Sequence, residues 1–136
     1  MEQKDYILRE IEKIGQIISA IRQKLLNENQ NLAIGLEPQT VNVKGLFLNE
    51  LNIDIEIFLR LNTEDSKRYL LDIGGFSVDN IEMLAGCISE VGFSNKTEKL
   101  NEYFEKALQL YELCNLESKT YSIEREQNIM KIKNAL

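Results

Sequence analysis

Apolar residues recur at alternating four- and three-residue steps through the first part of the chain and predict a long helix over about residues 3–27. The stripe consists of Ile7, Ile11, Ile14, Ile18, Ile21 and Leu25. Leu8 and Ile17 widen it, which is typical of a helix that packs in a bundle. Dimerisation through this stripe is the alternative, although Gly15 in the helix interior does not favour a coiled coil.

The segments that follow are shorter and less regular. Residues 28–40 contain Gly35 and Pro38, so we expect a flexible connection there. Apolar residues between 41 and 52 favour a helix. Residues 53–61 carry isoleucine or leucine at every second position, which is the pattern of a strand, but no second alternating run offers that strand a partner. We therefore predict a short helix there.

Capping signals divide the second half of the chain into further helices. Thr63 is suited to begin one helix and Gly74-Gly75 to end it. Ser77 then opens a helical hairpin predicted over about residues 78–116.

Two further capping signals follow. Asn95 with Glu98 resembles a capping box and predicts the start of the second helix of the hairpin. A terminal helix is predicted over about residues 122–135, opened by Ser122 or Thr120.

These elements predict a single all-α domain over residues 1–136 with about five to seven helices, either a helical bundle or an array of antiparallel helices. Hydrophobic residues make up 43% of the chain and charged residues 28%, which is ordinary for a globular domain. The length of 136 residues is sufficient for one hydrophobic core.

Within the hairpin, Leu84-Ala85 followed by Ile88 and the pair Phe104 and Ala107 resemble the packing positions of a tetratricopeptide unit. The chain also resembles a family of small all-helical bacterial proteins of unknown function. The short motifs that carry this second resemblance are Asp5-Tyr6-Ile7-Leu8-Arg9-x-Ile11-Glu12, Leu84-Ala85, Lys106-Ala107-Leu108 and Tyr121-Ser122-Ile123-x-Arg125. Both resemblances imply a tetratricopeptide-like helical fold, and neither implies an activity, a cofactor or a catalytic residue.

The net charge of −6 is unevenly distributed. Residues 37–90 carry ten acidic and four basic residues, whereas residues 119–136 carry two acidic and four basic residues. An acidic chain makes nucleic acid an unlikely partner. The basic residues of the last segment are predicted to lie on a solvated helix face: Lys119, Arg125, Lys131 and Lys133.

We expect a cytoplasmic protein, because no signal peptide and no apolar run of about 20 residues is present. Cys87 and Cys114 are then expected to be buried free thiols rather than a disulfide.

The chain contains no histidine, which excludes a nucleophile activated by histidine and the di-iron sites of helical bundles. The carboxylates that could act together are Asp54 with Glu56, Glu64 with Asp65, and Asp72 with Asp79, and surface solvation explains them better. The sequence therefore predicts no enzyme and no catalytic, cofactor-binding or metal-binding residue.

Asp5, Tyr6 and Arg9 form a cluster near the start of the first helix, explained either by helix electrostatics or by a binding role. The sequence predicts a protein interaction or scaffold module with a protein partner, without identifying interface residues. A regulator that uses the basic terminal helix on nucleic acid is the alternative.

Overall fold

The computed structural model describes residues 2–33, 42–94 and 99–136. These residues form seven α-helices and no β-strand, which confirms the all-α prediction. The helices are α1 (Glu2–Ala33), α2 (Val43–Leu51), α3 (Ile55–Arg60), α4 (Thr63–Ile73), α5 (Val78–Phe93), α6 (Leu100–Ser118) and α7 (Ile123–Ala135).

Helix α1 is longer than its apolar stripe indicated. It continues to Ala33, so residues 28–33 of the predicted connection are helical, and residues 34–40 lie outside the described residues. The reason is that the strong helix breakers, Gly35 and Pro38, come only after this stretch.

Only the second half of the α1 stripe is covered by the rest of the chain. Ile18, Ile21 and Leu25 are buried, whereas Ile7 is 53% exposed and Leu8 55%. Packing within one chain therefore accounts for the buried half, and dimerisation through the open half stays a prediction.

Side-chain caps begin each of the three short helices that follow. Asn42, Asp54 and Asn62 each accept a hydrogen bond from the backbone N–H three residues ahead. Helix α3 confirms the helical interpretation of a segment whose alternation suggested a strand. Thr63 is the first residue of α4 rather than its cap, because the stronger acceptor Asn62 occupies the capping position.

The turn between α4 and α5 brings α5 close to α1. Gly74 and Gly75 both have positive φ, at 90° and 79°, and Gly74 ends α4 as predicted. A Cβ on Gly75 would lie 2.8 Å from the Glu10 carbonyl oxygen, so only glycine permits this approach. Ser77 caps α5 as predicted, since its hydroxyl accepts a hydrogen bond from the Asn80 N–H.

Helices α1 and α5 run in the same direction. The Asn80 Nδ2 donates to the Ile11 carbonyl at 2.8 Å, and the Cys87 thiol lies 3.5 Å from the Ile18 carbonyl, so equal steps along the two helices keep them in contact.

Helices α5 and α6 form the predicted antiparallel hairpin. Gly92 packs on Phe104 near the turn, and the Cys114 thiol lies 3.6 Å from the Val78 carbonyl at the far end. The predicted capping box at Asn95 and Glu98 lies outside the described residues.

Helix α7 completes the fold and runs parallel to α5. Ser122 caps it by accepting a hydrogen bond from the Arg125 N–H, which selects Ser122 over Thr120 as the cap. Arg125 contacts Glu82 near the start of α5, and Lys131 lies over the Phe93 ring at the end of α5. Thus α1, α5 and α7 share one direction, and α6 runs opposite to them.

Candidate functional site

A polar stripe along α5 lines a cleft of about 330 Å³ between α1 and α7, hereafter the α5 cleft. The α5 residues that line the cleft each have a neighbour three or four positions away, and all but Met83 and Phe93 are polar or glycine: Asp79, Glu82, Met83, Gly86, Ser89, Glu90 and Phe93. This spacing places them on one helix face, where an apolar stripe would normally pack against a neighbouring helix. The walls are formed by Arg22 of α1 and by Glu124, Asn128, Lys131 and Ile132 of α7.

The centre of the cleft is at Gly86. A Cβ on this residue would lie 3.7 Å from the Tyr111 Oη and 3.9 Å from the Arg22 Nη1, so the hydroxyl and the guanidinium approach the same point of α5. Ser89 keeps the neighbouring floor small, because its hydroxyl donates to the Gly86 carbonyl at 2.8 Å. Two donors therefore converge at Gly86, where α5 carries no side chain.

Tyr111 reaches this point from α6, behind the floor of the cleft. Its side chain is only 3% exposed, yet its hydroxyl has no hydrogen-bond partner among the described residues. Burial raises the pKa of Tyr111 to about 12, so the hydroxyl is protonated at neutral pH and can donate. No described side-chain oxygen or nitrogen is both fully buried and unpaired, so the Tyr111 hydroxyl is open to the cleft and can donate to an acceptor placed there.

The rim of the cleft is acidic. Asp79, Glu90 and Glu124 form no ion pair with any described residue. Glu82 is neutralised by Arg125, and Lys131 lies 4.7 Å from the centroid of the Phe93 ring. The three unpaired carboxylates therefore outnumber the two cations of the lining, Arg22 and Lys131, that form no ion pair with a described residue.

Arg125 corrects the prediction that the basic residues of the last segment are all solvated. It is 5% exposed, its Nε donates to the Glu82 carboxylate at 2.8 Å, and its Nη1 donates to the Asn115 side chain at 2.9 Å. The prediction failed because the fold brings the start of α7 against the end of α6, which sequence spacing does not reveal. Lys119, Lys131 and Lys133 are exposed.

A second polar cluster is buried between α4 and α6. The Lys106 Nζ donates to the Leu61 carbonyl at 2.8 Å, to the Ser66 hydroxyl at 2.6 Å and to the Gln109 side-chain oxygen at 2.6 Å. Its ammonium also lies 4.7 Å from the centroid of the Phe58 ring. Burial lowers the pKa of Lys106 to about 8.

A lysine beside a serine is also an arrangement used in catalysis. Here Ser66 is fully buried and Lys106 is 3% exposed, so neither has room for a substrate. The cluster connects α6 to the loop before α4. In the sequence, this buried cluster is indicated by Lys106, which lies between Tyr103 and Leu110 on the apolar face of α6.

The paired carboxylates proposed from the sequence have separate structural roles. Asp54 caps α3, Glu56 forms an ion pair with Lys44, and the side chains of Glu64 and Asp65 are exposed in the first turn of α4. No group of carboxylates or cysteines in residues 2–33, 42–94 and 99–136 could hold a metal ion.

Asp72 and Asp79 are also placed by the structure. Both are exposed, and only Asp79 lies in the α5 cleft. Cys87 and Cys114 are buried free thiols, as predicted, and burial raises the pKa of each to about 12.

The cluster of Asp5, Tyr6 and Arg9 is exposed. A hydrogen bond with Glu10 raises the pKa of Tyr6, and Asp5 and Arg9 form no ion pair with each other. Tyr6 and Arg9 line a second, more open groove of about 670 Å³ against α2 and the end of α4.

No helix in the described part of the chain is long and apolar enough to cross a membrane. Comparison with protein-family models, with curated proteins and with solved structures finds no match to this chain. The geometry of the α5 cleft is therefore the basis for proposing a function.

Proposed function

We propose that this protein is an interaction module that binds an extended segment of a partner protein in the α5 cleft. The observation that carries the proposal is the unpaired hydroxyl of the otherwise buried Tyr111 side chain, which opens into the cleft and approaches Gly86 together with the Arg22 guanidinium. A main-chain carbonyl of a bound segment would accept hydrogen bonds from both groups.

The dimensions of the cleft suit a short extended segment. From Asp79 to Phe93, α5 rises about 20 Å at about 1.5 Å per residue. An extended chain covers that length with about six residues at roughly 3.3 Å each. The small residues Gly86 and Ser89 leave room at the centre for the backbone of such a segment.

The parallel arrangement of α1, α5 and α7 supports the tetratricopeptide-like interpretation, because three helices of one direction then form a continuous inner surface. We propose no catalytic step for this surface. The two free thiols favour a cytoplasmic location, and the sequence resemblance favours a bacterial one. Burial of Arg125 weakens the nucleic-acid alternative by removing one of the four cations of the last segment.

The test begins with capture of partners from an extract of the native cell on tagged protein. The captured protein is then produced separately, and its affinity for the purified module is measured by calorimetry. Gly86→Leu fills the centre of the cleft. Gly86→Ala is the matched control, because its Cβ would lie no closer than 3.7 Å to any neighbouring side-chain atom.

We expect Gly86→Leu to weaken binding at least about tenfold while Gly86→Ala binds as the wild type does. Glu90→Arg, which adds bulk and reverses a charge at the rim, is a second blocking variant in case Gly86→Leu unfolds. Equal affinity of folded blocking variants and wild type would refute the proposal. Sedimentation of the purified protein in the same buffer would reveal a homodimer.

A further inference from the structure

We propose that the segment bound in the α5 cleft is basic, with a lysine or arginine side chain between Asp79 and Glu124 and its main chain over Gly86. This inference rests on the proposed function and adds the chemistry of the partner. It follows from the separation of two kinds of group along the cleft: hydrogen-bond donors at the centre and carboxylates at the end where α5 and α7 begin.

The carboxylates at that end are available to a ligand. Asp79 lies in the first turn of α5 and Glu124 in the first turn of α7, both exposed and both without an ion pair among the described residues. The contact between Glu82 and Arg125 holds these two turns together. A cation placed there would meet two carboxylates whose charges nothing described compensates.

The central donors point to the main chain of the ligand rather than to an acidic side chain. Arg22 and Tyr111 are both donors, and either a carbonyl or a carboxylate could accept from them. A carboxylate or phosphate would also lie in a cleft whose three unpaired carboxylates, Asp79, Glu90 and Glu124, outnumber its two unpaired cations. A neutral carbonyl accepts the same hydrogen bonds without that repulsion.

Two independent observations thus point to one ligand. The acidic rim alone would be explained by solvation, but the Tyr111 side chain is 3% exposed, and its hydroxyl, unpaired among the described residues, opens at the cleft floor. The distance along α5 from Gly86 back to Asp79 is about 10 Å at 1.5 Å per residue. An extended peptide covers that distance with about three residues, or with fewer when a long lysine side chain reaches ahead.

The inference is tested by selecting displayed random heptapeptides on the immobilised full chain, with counter-selection on Gly86→Leu. The readout is the net charge of the enriched sequences. We expect enrichment of sequences that carry at least one lysine or arginine and a positive net charge. Enrichment of acidic or purely apolar sequences would overturn the basic preference while leaving the proposed function standing.

The best enriched peptide is then synthesised with a fluorophore, and its affinity is measured by anisotropy. We expect the double variant Asp79→Asn, Glu124→Gln to weaken binding about tenfold and Tyr111→Phe to weaken it about three- to tenfold. Glu105→Gln is the control, since Glu105 is an exposed carboxylate of α6 that does not line the cleft. It should leave the affinity unchanged.

The possible outcomes distinguish a failure of the basic preference from a failure of the proposed function. Raising the salt concentration from 50 to 500 mM should weaken a basic peptide several-fold in the wild type and little in the double variant. If the wild type enriches no peptide beyond Gly86→Leu, both the basic preference and the proposed function fail. If a peptide binds and the double variant binds it as tightly as the wild type does, only the basic preference fails.

Discussion

The buried ammonium of Lys106 makes the stability of this protein depend on pH in a way that can be calculated. Burial lowers its pKa from 10.5 to about 8 in the folded chain. Below pH 8 the lysine is charged in both the folded and the unfolded chain, and folding includes the full cost of burying the charge. Between pH 8 and 10.5 the unfolded chain binds more protons than the folded chain, so the free energy of unfolding rises with pH.

The slope is about 1.4 kcal/mol per pH unit where the protonation states differ. From pH 8 to 9.5 this lysine should therefore add about 2 kcal/mol to the free energy of unfolding. Cys87 and Cys114 act in the opposite direction above pH 9, because burial raises the pKa of each from 9.0 to about 12. The wild-type profile alone would mix these effects, so the difference from a variant is the quantity to measure.

Lys106→Met keeps the length and apolar character of the side-chain stem and removes the titrating group. Urea unfolding of wild type and variant at pH 7.0 to 9.5 gives the difference in the free energy of unfolding at each pH. We expect that difference to shift by about 2 kcal/mol in favour of the wild type as the pH rises. Lys133→Met, at an exposed lysine of α7, should show no such shift.

A difference profile for Lys106→Met that stays flat within about 0.3 kcal/mol would refute the reasoning. It would mean that the three acceptors around the ammonium compensate fully for its burial.

Three further predictions follow from contacts in the same core. Gly86→Ala should raise the free energy of unfolding by about 0.5–1 kcal/mol, because alanine favours helix interiors. Gly92→Ala should instead lower it by about 1–3 kcal/mol, because its Cβ would lie 2.7 Å from an aromatic ring. Thermal unfolding of both variants checks the opposite signs. Arg125→Met should lower the free energy of unfolding in urea by about 2–3 kcal/mol, since it removes a buried, hydrogen-bonded cation, and replacement of an exposed lysine on α7 is the control. Cys87 and Cys114 should react with a maleimide at least about 100-fold more slowly in the folded protein than in urea, and equal rates would contradict their burial.

The sequence was sufficient for the helices because their signals are local. Apolar spacing identified α1, and capping residues such as Ser77 and Ser122 act on their immediate neighbours. The choice of helix over strand for residues 55–60 came from the absence of a partner strand. Helix α1 ends beyond its predicted end because it continues past the last apolar residue of the stripe, and no strong helix breaker comes before Gly35.

The α5 cleft could not be predicted in the same way. Its residues come from four helices, and the approach of Arg22 and Tyr111 to Gly86 depends on the packing of both α1 and α6 against α5. The available signal was the polar stripe of α5 itself, with Glu82, Gly86 and Glu90 at four-residue spacing in an otherwise buried helix. Such a stripe indicates that this side of α5 faces solvent, but the sequence does not show which helices flank it.

The two walls of the cleft belong to the first and the last helix of the described chain, and this has a consequence for the order of folding. The hairpin of α5 and α6 joins neighbours in sequence, whereas Arg22 and Lys131 reach the cleft along α5 only after long loops have closed. We therefore expect the hairpin to form early and the cleft to be completed last. A chain that is only partly folded would then have no place for a partner, so competence to bind would itself report that folding is complete.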